Sequence, residues 1–198
     1  MEITIAIVSL AISIITLWLT YLHRGKVKMT QPTTIFFGWD GKDRKDPKIY
    51  LRTLLFSTSQ RGQVIESIHV RLHRSESVQT FNIWVYGERS ELVRGSGLYV
   101  GKEGVAYNHH FLTPKDGSIY DFLPCKYKLE VYASILNKKT PIKMFSVDLE
   151  VSEGQAAKIK VDRYGLYFDW GPESNRYHPY LHLPDPGMME LYHKLSEQ

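Results

Sequence analysis

Two alternating segments carry the side chains best suited to chemistry. "VIESIHVRLHRS" (64–75) sets His69, Arg71 and His73 opposite Ile68, Val70 and Leu72. "FNIWVYGE" (81–88) sets Asn82, Trp84 and Tyr86 opposite Phe81, Ile83 and Val85. "SESV" (75–78) makes a compact connection between them, so the two segments are expected to pair and to present one mixed face. Cationic groups pair with phosphate and aromatic rings stack on bases, which suits a small nucleotide. Arg, Trp and Tyr are also the residues enriched at protein interfaces. Extended nucleic acid is disfavoured, because 21 acidic residues are interspersed among 25 basic ones.

Other chemical signals are weaker. His109 and His110 are adjacent, and neighbours on a strand point to opposite faces, so they cannot chelate one ion together. No H-E-x-x-H, C-x-x-C or H-x-H spacing appears, and no metal or cofactor is expected. "VRGSGLYVGKEG" (93–104) carries four glycines and Arg94. A phosphate loop would need Gly at position 96, and Ser or Thr at 103 followed by a helix; the chain has Ser96, Glu103 and strand-like flanks. "RGSGL" lacks the G-x-S-x-G spacing of a nucleophile elbow. Cys125 is the sole cysteine, which is compatible with a reducing compartment and excludes a disulfide framework. Recognition is therefore expected rather than catalysis, with an enzyme of unfamiliar site as a remaining alternative.

The elements that must position these residues are strands. Period-2 alternation or β-rich composition marks 48–59, 64–75, 81–88, 95–101, 105–112, 126–135, 144–151, 157–162 and 164–170. Strands with one apolar face require two sheets that cover each other, so residues 29–180 are expected to form a mainly β, antiparallel β-sandwich, with a small barrel as the second choice. "YKLEVYAS" (127–134), after a turn-rich segment, resembles immunoglobulin-like sandwiches in layout. That resemblance implies architecture alone: paired cysteines are missing and no site residues carry across. In the tail, 181–198, prolines keep the chain extended to about 186, and "MMELYHKLSEQ" is expected to form a short C-terminal helix.

Ahead of this body, residues 3–22 contain no charge. Twenty helical residues reach about 30 Å, the thickness of a bilayer's hydrocarbon core. A cleaved signal peptide would want a basic leader and a small-x-small site, and an interfacial helix a charged face; this segment has neither. One N-terminal transmembrane helix is expected, within a unit spanning 1–28. Trp18 and Tyr21 suit the headgroup layer, and Arg24, Lys26 and Lys28 follow the span. No Lys or Arg precedes it, which puts the amino terminus outside and the β domain in the cytoplasm. With Glu2 set aside, 25 basic residues face 20 acidic ones, a balance of +5 that draws the domain to an anionic leaflet.

The span carries a stripe. Ala6, Ser9, Ser13, Thr16 and Thr20 recur at steps of 3, 4, 3 and 4. Helices in lipid associate through small residues and hydroxyls, so this edge is expected to be a homo-oligomer seam; the competing reading is hydroxyls bonded to their own helix. The chain thus reads as a single-pass, membrane-anchored recognition and assembly module that contacts lipid, itself and a protein partner or small nucleotide. The alternative is an oligomerising membrane effector, a pore-former or disruptor of the kind a cell-suicide antiviral defence would use.

Overall fold

The structure, a computed structural model, describes residues 2–22, 25–40, 46–88, 91–116, 120–161 and 164–183. It is mainly β, with two antiparallel sheets behind one apolar N-terminal helix. Helix α1 (Glu2–Leu17) runs into a π-helical turn at Trp18–Leu22. The 18-residue window Ile3–Thr20 has a mean hydropathy of 2.3, and none of it is buried by the rest of the chain. α1 is therefore not a core helix. It is long and apolar enough to cross a membrane.

The larger sheet joins β1 (Val27–Met29), β2 (Thr34–Asp40), β3 (Asp46–Ser57), β6 (Ile83–Gly87), β7 (Val93–Arg94), β9 (Val105–Leu112), β12 (Gly165–Gly171) and β13 (Arg176–His182). Its order is β13-β12-β2-β3-β9-β6-β7, with β1 also on β3. The smaller sheet has the order β11-β10-β4-β5, with β8 (Leu98–Val100) also on β4. Its other strands are β4 (Gln63–Arg74), β5 (Ser77–Phe81), β10 (Cys125–Ile135) and β11 (Ile142–Val151). An immunoglobulin domain of seven strands divides them four and three. Sheets of eight and five strands in these orders do not reproduce that layout.

One core lies between the sheets. Phe37 from the larger sheet, fully buried, meets Tyr127 of the smaller sheet edge-on at 5.9 Å, stacks on Phe122 at 5.2 Å and packs against Phe168 at 5.3 Å. Ile35, Ile49, Leu51 and Phe111 face Val70, Leu72, Leu129 and Val131 across the same space. Val70, Leu72, Leu129 and Val131 are the apolar positions of the period-2 patterns in 64–75 and 126–135.

Several elements differ from expectation. Of the expected strand 157–162, residues 157–161 are helical, the end of helix α2 (Glu153–Val161), and 162 lies outside the described residues. Ser152 and Gln155 make a reciprocal capping box, with Ser152 N donating to Gln155 Oε1 (2.9 Å) and Gln155 N to Ser152 Oγ (3.4 Å). Ala156 and Ile159, a turn apart, are buried on the body. The β domain also begins before residue 29, because β1 pairs Val27 with Ser57, and β13 carries it past 180 to His182. β13 ends the sheet order, where Pro179 costs no ladder bond on its open side. The expected helix from Met188 lies outside the described residues.

Replacing Phe37 with Ala removes the ring that ties both sheets together. Urea unfolding of the full chain in neutral detergent is expected to show a loss of about 3–5 kcal/mol. An unchanged midpoint would contradict this account of the core.

Candidate functional site

The outer face of the smaller sheet is built by register. On β4 the outward positions are His69, Arg71 and His73, and antiparallel pairing sets them opposite Tyr132, Glu130 and Lys128 of β10. Lys143 of β11 pairs with Tyr132 from the far side. The centre is Glu130, only 8% exposed although it lies on an outer face. Tyr132 Oη donates to its Oε2 at 2.9 Å, and His73 Nε2 lies 3.1 Å from the same oxygen. Lys143 Nζ donates to Oε1 at 3.2 Å, with Lys128 Nζ at 3.5 Å. Desolvation pushes the carboxyl up, but hydrogen bonds from Tyr132, Lys143 and His73 outweigh it and hold Glu130 at about 2. His69 stacks on the Tyr132 ring at 5.4 Å and 8°, and the Arg71 guanidinium lies 4.8 Å from its centroid. Burial, then the Arg71 charge, lowers the His69 pKa. The result is a cationic and aromatic surface organised around one fixed anion.

Asn82, Trp84 and Tyr86 do not join this face. β4 pairs with β5, not with 83–87, and the chain leaves the smaller sheet after Phe81 to enter the larger one as β6. The crossing at Asn82 reverses the alternation. Asn82 is exposed, while Trp84 turns inward and is 3% exposed. Its Nε1 donates to His109 Nδ1 at 3.2 Å, and its ring stacks on Tyr86 at 4.8 Å. Tyr86 Oη donates to the Gly97 carbonyl at 3.0 Å. Gly95 allows this close packing, since a Cβ there would lie 2.1 Å from the indole. The six residues thus separate: His69, Arg71 and His73 share the open face, Trp84 and Tyr86 pack against the core, and Asn82 is exposed apart from both.

His109 and His110 point to opposite faces. His109 is buried and its Nε2 has no partner, while His110 stacks on Tyr50 at 5.1 Å across the outer face of the larger sheet. Burial lowers His109 to about 4; burial and then the Lys48 charge lower His110 to about 3. Both are neutral at physiological pH. Among the described residues no group of three His, Cys, Asp or Glu side chains is placed to hold a metal ion. Cys125 begins β10, half-buried.

One feature has no signature within any single strand. Tyr180, Tyr167, Phe36, Tyr50 and His110 come from five neighbouring strands and form one row across the outer face of the larger sheet. Successive ring centroids lie 5.3, 4.8, 6.3 and 5.1 Å apart. Phe36 lies flat over Gly38 and Gly165, where a Cβ would meet its ring at 2.4 and 2.3 Å.

In α1, Ala6, Ser9, Ser13 and Thr16 are exposed, and Thr20 in the π turn is half-exposed. Ser13 Oγ donates to the Ser9 carbonyl at 2.9 Å and Thr16 Oγ1 to the Ile12 carbonyl at 2.8 Å. Those hydroxyls need no second helix to be satisfied. Trp18 is half-exposed at the π turn, and Lys26 and Lys28 are exposed beyond it. The Tyr21 side chain and Arg24 lie outside the described residues.

With this geometry in hand, comparison with known proteins decides nothing further. No family model, no curated protein and no solved structure matches the chain.

The buried histidine dictates a pH response. Unfolded His109 takes a proton near 6.5 and the folded form only near 4, so its contribution is neutral above 6.5. It then destabilises progressively as pH falls, by about 1.4 kcal/mol per unit until pH 4. Glu130 adds to acid lability at lower pH: its depressed carboxyl stabilises above 4.5, and this is lost as pH falls towards 2. Urea midpoints at pH 7.5, 6 and 5 are expected to fall more steeply for the native chain than for His109→Asn. Parallel slopes would contradict a neutral buried His109.

Proposed function

We propose that the chain is a single-pass membrane-anchored recognition module, with α1 in the bilayer, the amino terminus outside and the β domain in the cytoplasm. The observation that carries this reading is the 18-residue apolar window that no part of the body covers, directly ahead of a folded β domain. The basic flank at Lys26 and Lys28, just after the span, supports the orientation. The outer face of the smaller sheet takes an acidic protein partner through Arg71, Lys128 and Lys143. Glu130 and Tyr132 position these groups, and a protein is favoured over a nucleotide because His69 and Arg71 already lie on the Tyr132 ring. The module carries no catalysis in this reading.

Copies associate through the edge of Ala6, Ser9, Ser13, Thr16 and Thr20. Because Ser13 and Thr16 are bonded to their own backbone, the edge works by close approach of small side chains. Hydroxyls occupied in this way supply little to line a wet path, which favours an anchor over a pore.

Two measurements test this in a Cys125→Ser background. Membrane-impermeant maleimide is expected to label Glu2→Cys in intact cells and Ser146→Cys only after permeabilisation; the reverse pattern overturns the orientation. Oxidative cross-linking is expected at Ser9→Cys and Ser13→Cys but not at Ile12→Cys. Equal yields at all three overturn the seam.

A further inference from the structure

The membrane-proximal end of the β domain contains a groove that no motif announces. Strand β1 follows the span directly, and the β10–β11 hairpin folds back beside it. Between them lies an open groove of about 450 Å³. Lys26 and Lys28 rim it from β1 and its approach, Lys138 from the hairpin turn, and Lys143 from β11. Met29 and Met144, half-buried against the core, form much of its apolar floor. No carboxylate lines it. Lys143 alone of the four is paired, to Glu130; Lys26, Lys28 and Lys138 make no ion pair among the described residues. Four lysines lining one groove with no carboxylate among its lining residues make it electropositive, and an anion bound there relieves their mutual repulsion.

Position identifies the anion. Four residue steps separate Leu22, the last residue of the π turn, from Lys26, so the groove's rim lies at most about 14 Å along the backbone from the end of the apolar segment. That upper bound is under two Debye lengths at physiological salt, about 8 Å each, so the rim feels an anionic leaflet wherever the connection is less than fully extended. The hairpin adds Leu136, 47% exposed, at its turn. Lysine is a point-charge binder of phosphate, and flexible thioethers adapt to an apolar glycerol backbone or upper acyl chain.

We propose that this groove is a binding site for the phosphate headgroup of an anionic phospholipid, and that it docks the β domain against the leaflet in which α1 ends. The proposal rests on the membrane-anchor reading and adds to it a specific lipid class and a second point of attachment. With both the span and the groove engaged, the domain has two points of attachment to one leaflet.

The test uses the full chain in neutral detergent, titrated with water-soluble dihexanoyl-phosphatidylglycerol, dihexanoyl-phosphatidylcholine or inorganic phosphate. Amide hydrogen exchange is read at Val27–Met29 and Ile142–Met144. The expected result is protection by phosphatidylglycerol at about tenfold lower concentration than by phosphatidylcholine, given three unpaired lysines at the groove whose charges are screened by salt. Lys28→Gln with Lys138→Gln is expected to remove that preference. Lys102→Gln with Lys115→Gln, which deletes the same charge elsewhere, is expected to keep it. Equal response to both lipids, or equal loss in both double variants, overturns the site. Protection by inorganic phosphate at the concentrations that suffice for phosphatidylglycerol overturns its assignment to lipid. Detergent keeps α1 solvated whether or not it crosses a bilayer, so this outcome is separable from the labelling experiment on the span.

Discussion

Apolar surface that the protein does not cover governs the rest of this molecule. Eleven large apolar side chains between Ile3 and Leu19 stand 50–77% exposed. Burying a side chain of that size contributes about 2 kcal/mol, so leaving all of them in water forgoes roughly 20 kcal/mol. A folded domain is stable by only about 5–15 kcal/mol. The β domain has no face given over to this helix, and its own core is already filled by the two sheets. Lipid satisfies the demand without any change in the body, because an α-helix meets its backbone hydrogen bonds internally.

The β domain in turn keeps its polar groups for its surfaces and specifies its core with a few exceptions. Trp84 and His109 share a hydrogen bond inside the larger sheet, and a histidine so placed is held neutral by its surroundings. Glu130 is the opposite case. It lies on an outer face yet is almost covered, and it remains ionised because Tyr132, Lys143 and His73 converge on it. One carboxylate thereby fixes the positions of several cationic groups that would otherwise spread apart. The two outer faces of the domain differ as a result: one carries an aromatic row, the other a cationic cluster continuous through Lys143 with the groove beside the span.

Much of the fold was legible. The alternation in 64–75 and 126–135 marks β4 and β10 within a residue, because apolar side chains line one face of each, and the β-rich composition of 105–112 marks β9. The apolar helix was legible from length and the absence of charge. Other features were not, for identifiable reasons. The stretch 77–87 alternates smoothly through Asn82, so its change of sheet leaves no mark in the pattern, and the inward and outward sets of β6 are exchanged. Ser152 and Gln155 carry a capping-box signal for a helix, but Ile159 and Val161 imitate the alternation of a strand. β2 holds apolar residues on both faces because Phe36 lies in the aromatic row, which hides its period. That row and the lysine groove depend on register between strands distant in sequence, and neither exists at the level of any one segment.

The central claim is that residues 3–20 reside in lipid. The most direct measurement is flotation of alkaline carbonate-washed membranes from cells expressing the full chain, compared with a chain lacking residues 2–22. The full chain is expected to float with the bilayer after the wash while the shortened chain remains in the soluble fraction. Release of the full chain by carbonate would contradict the account.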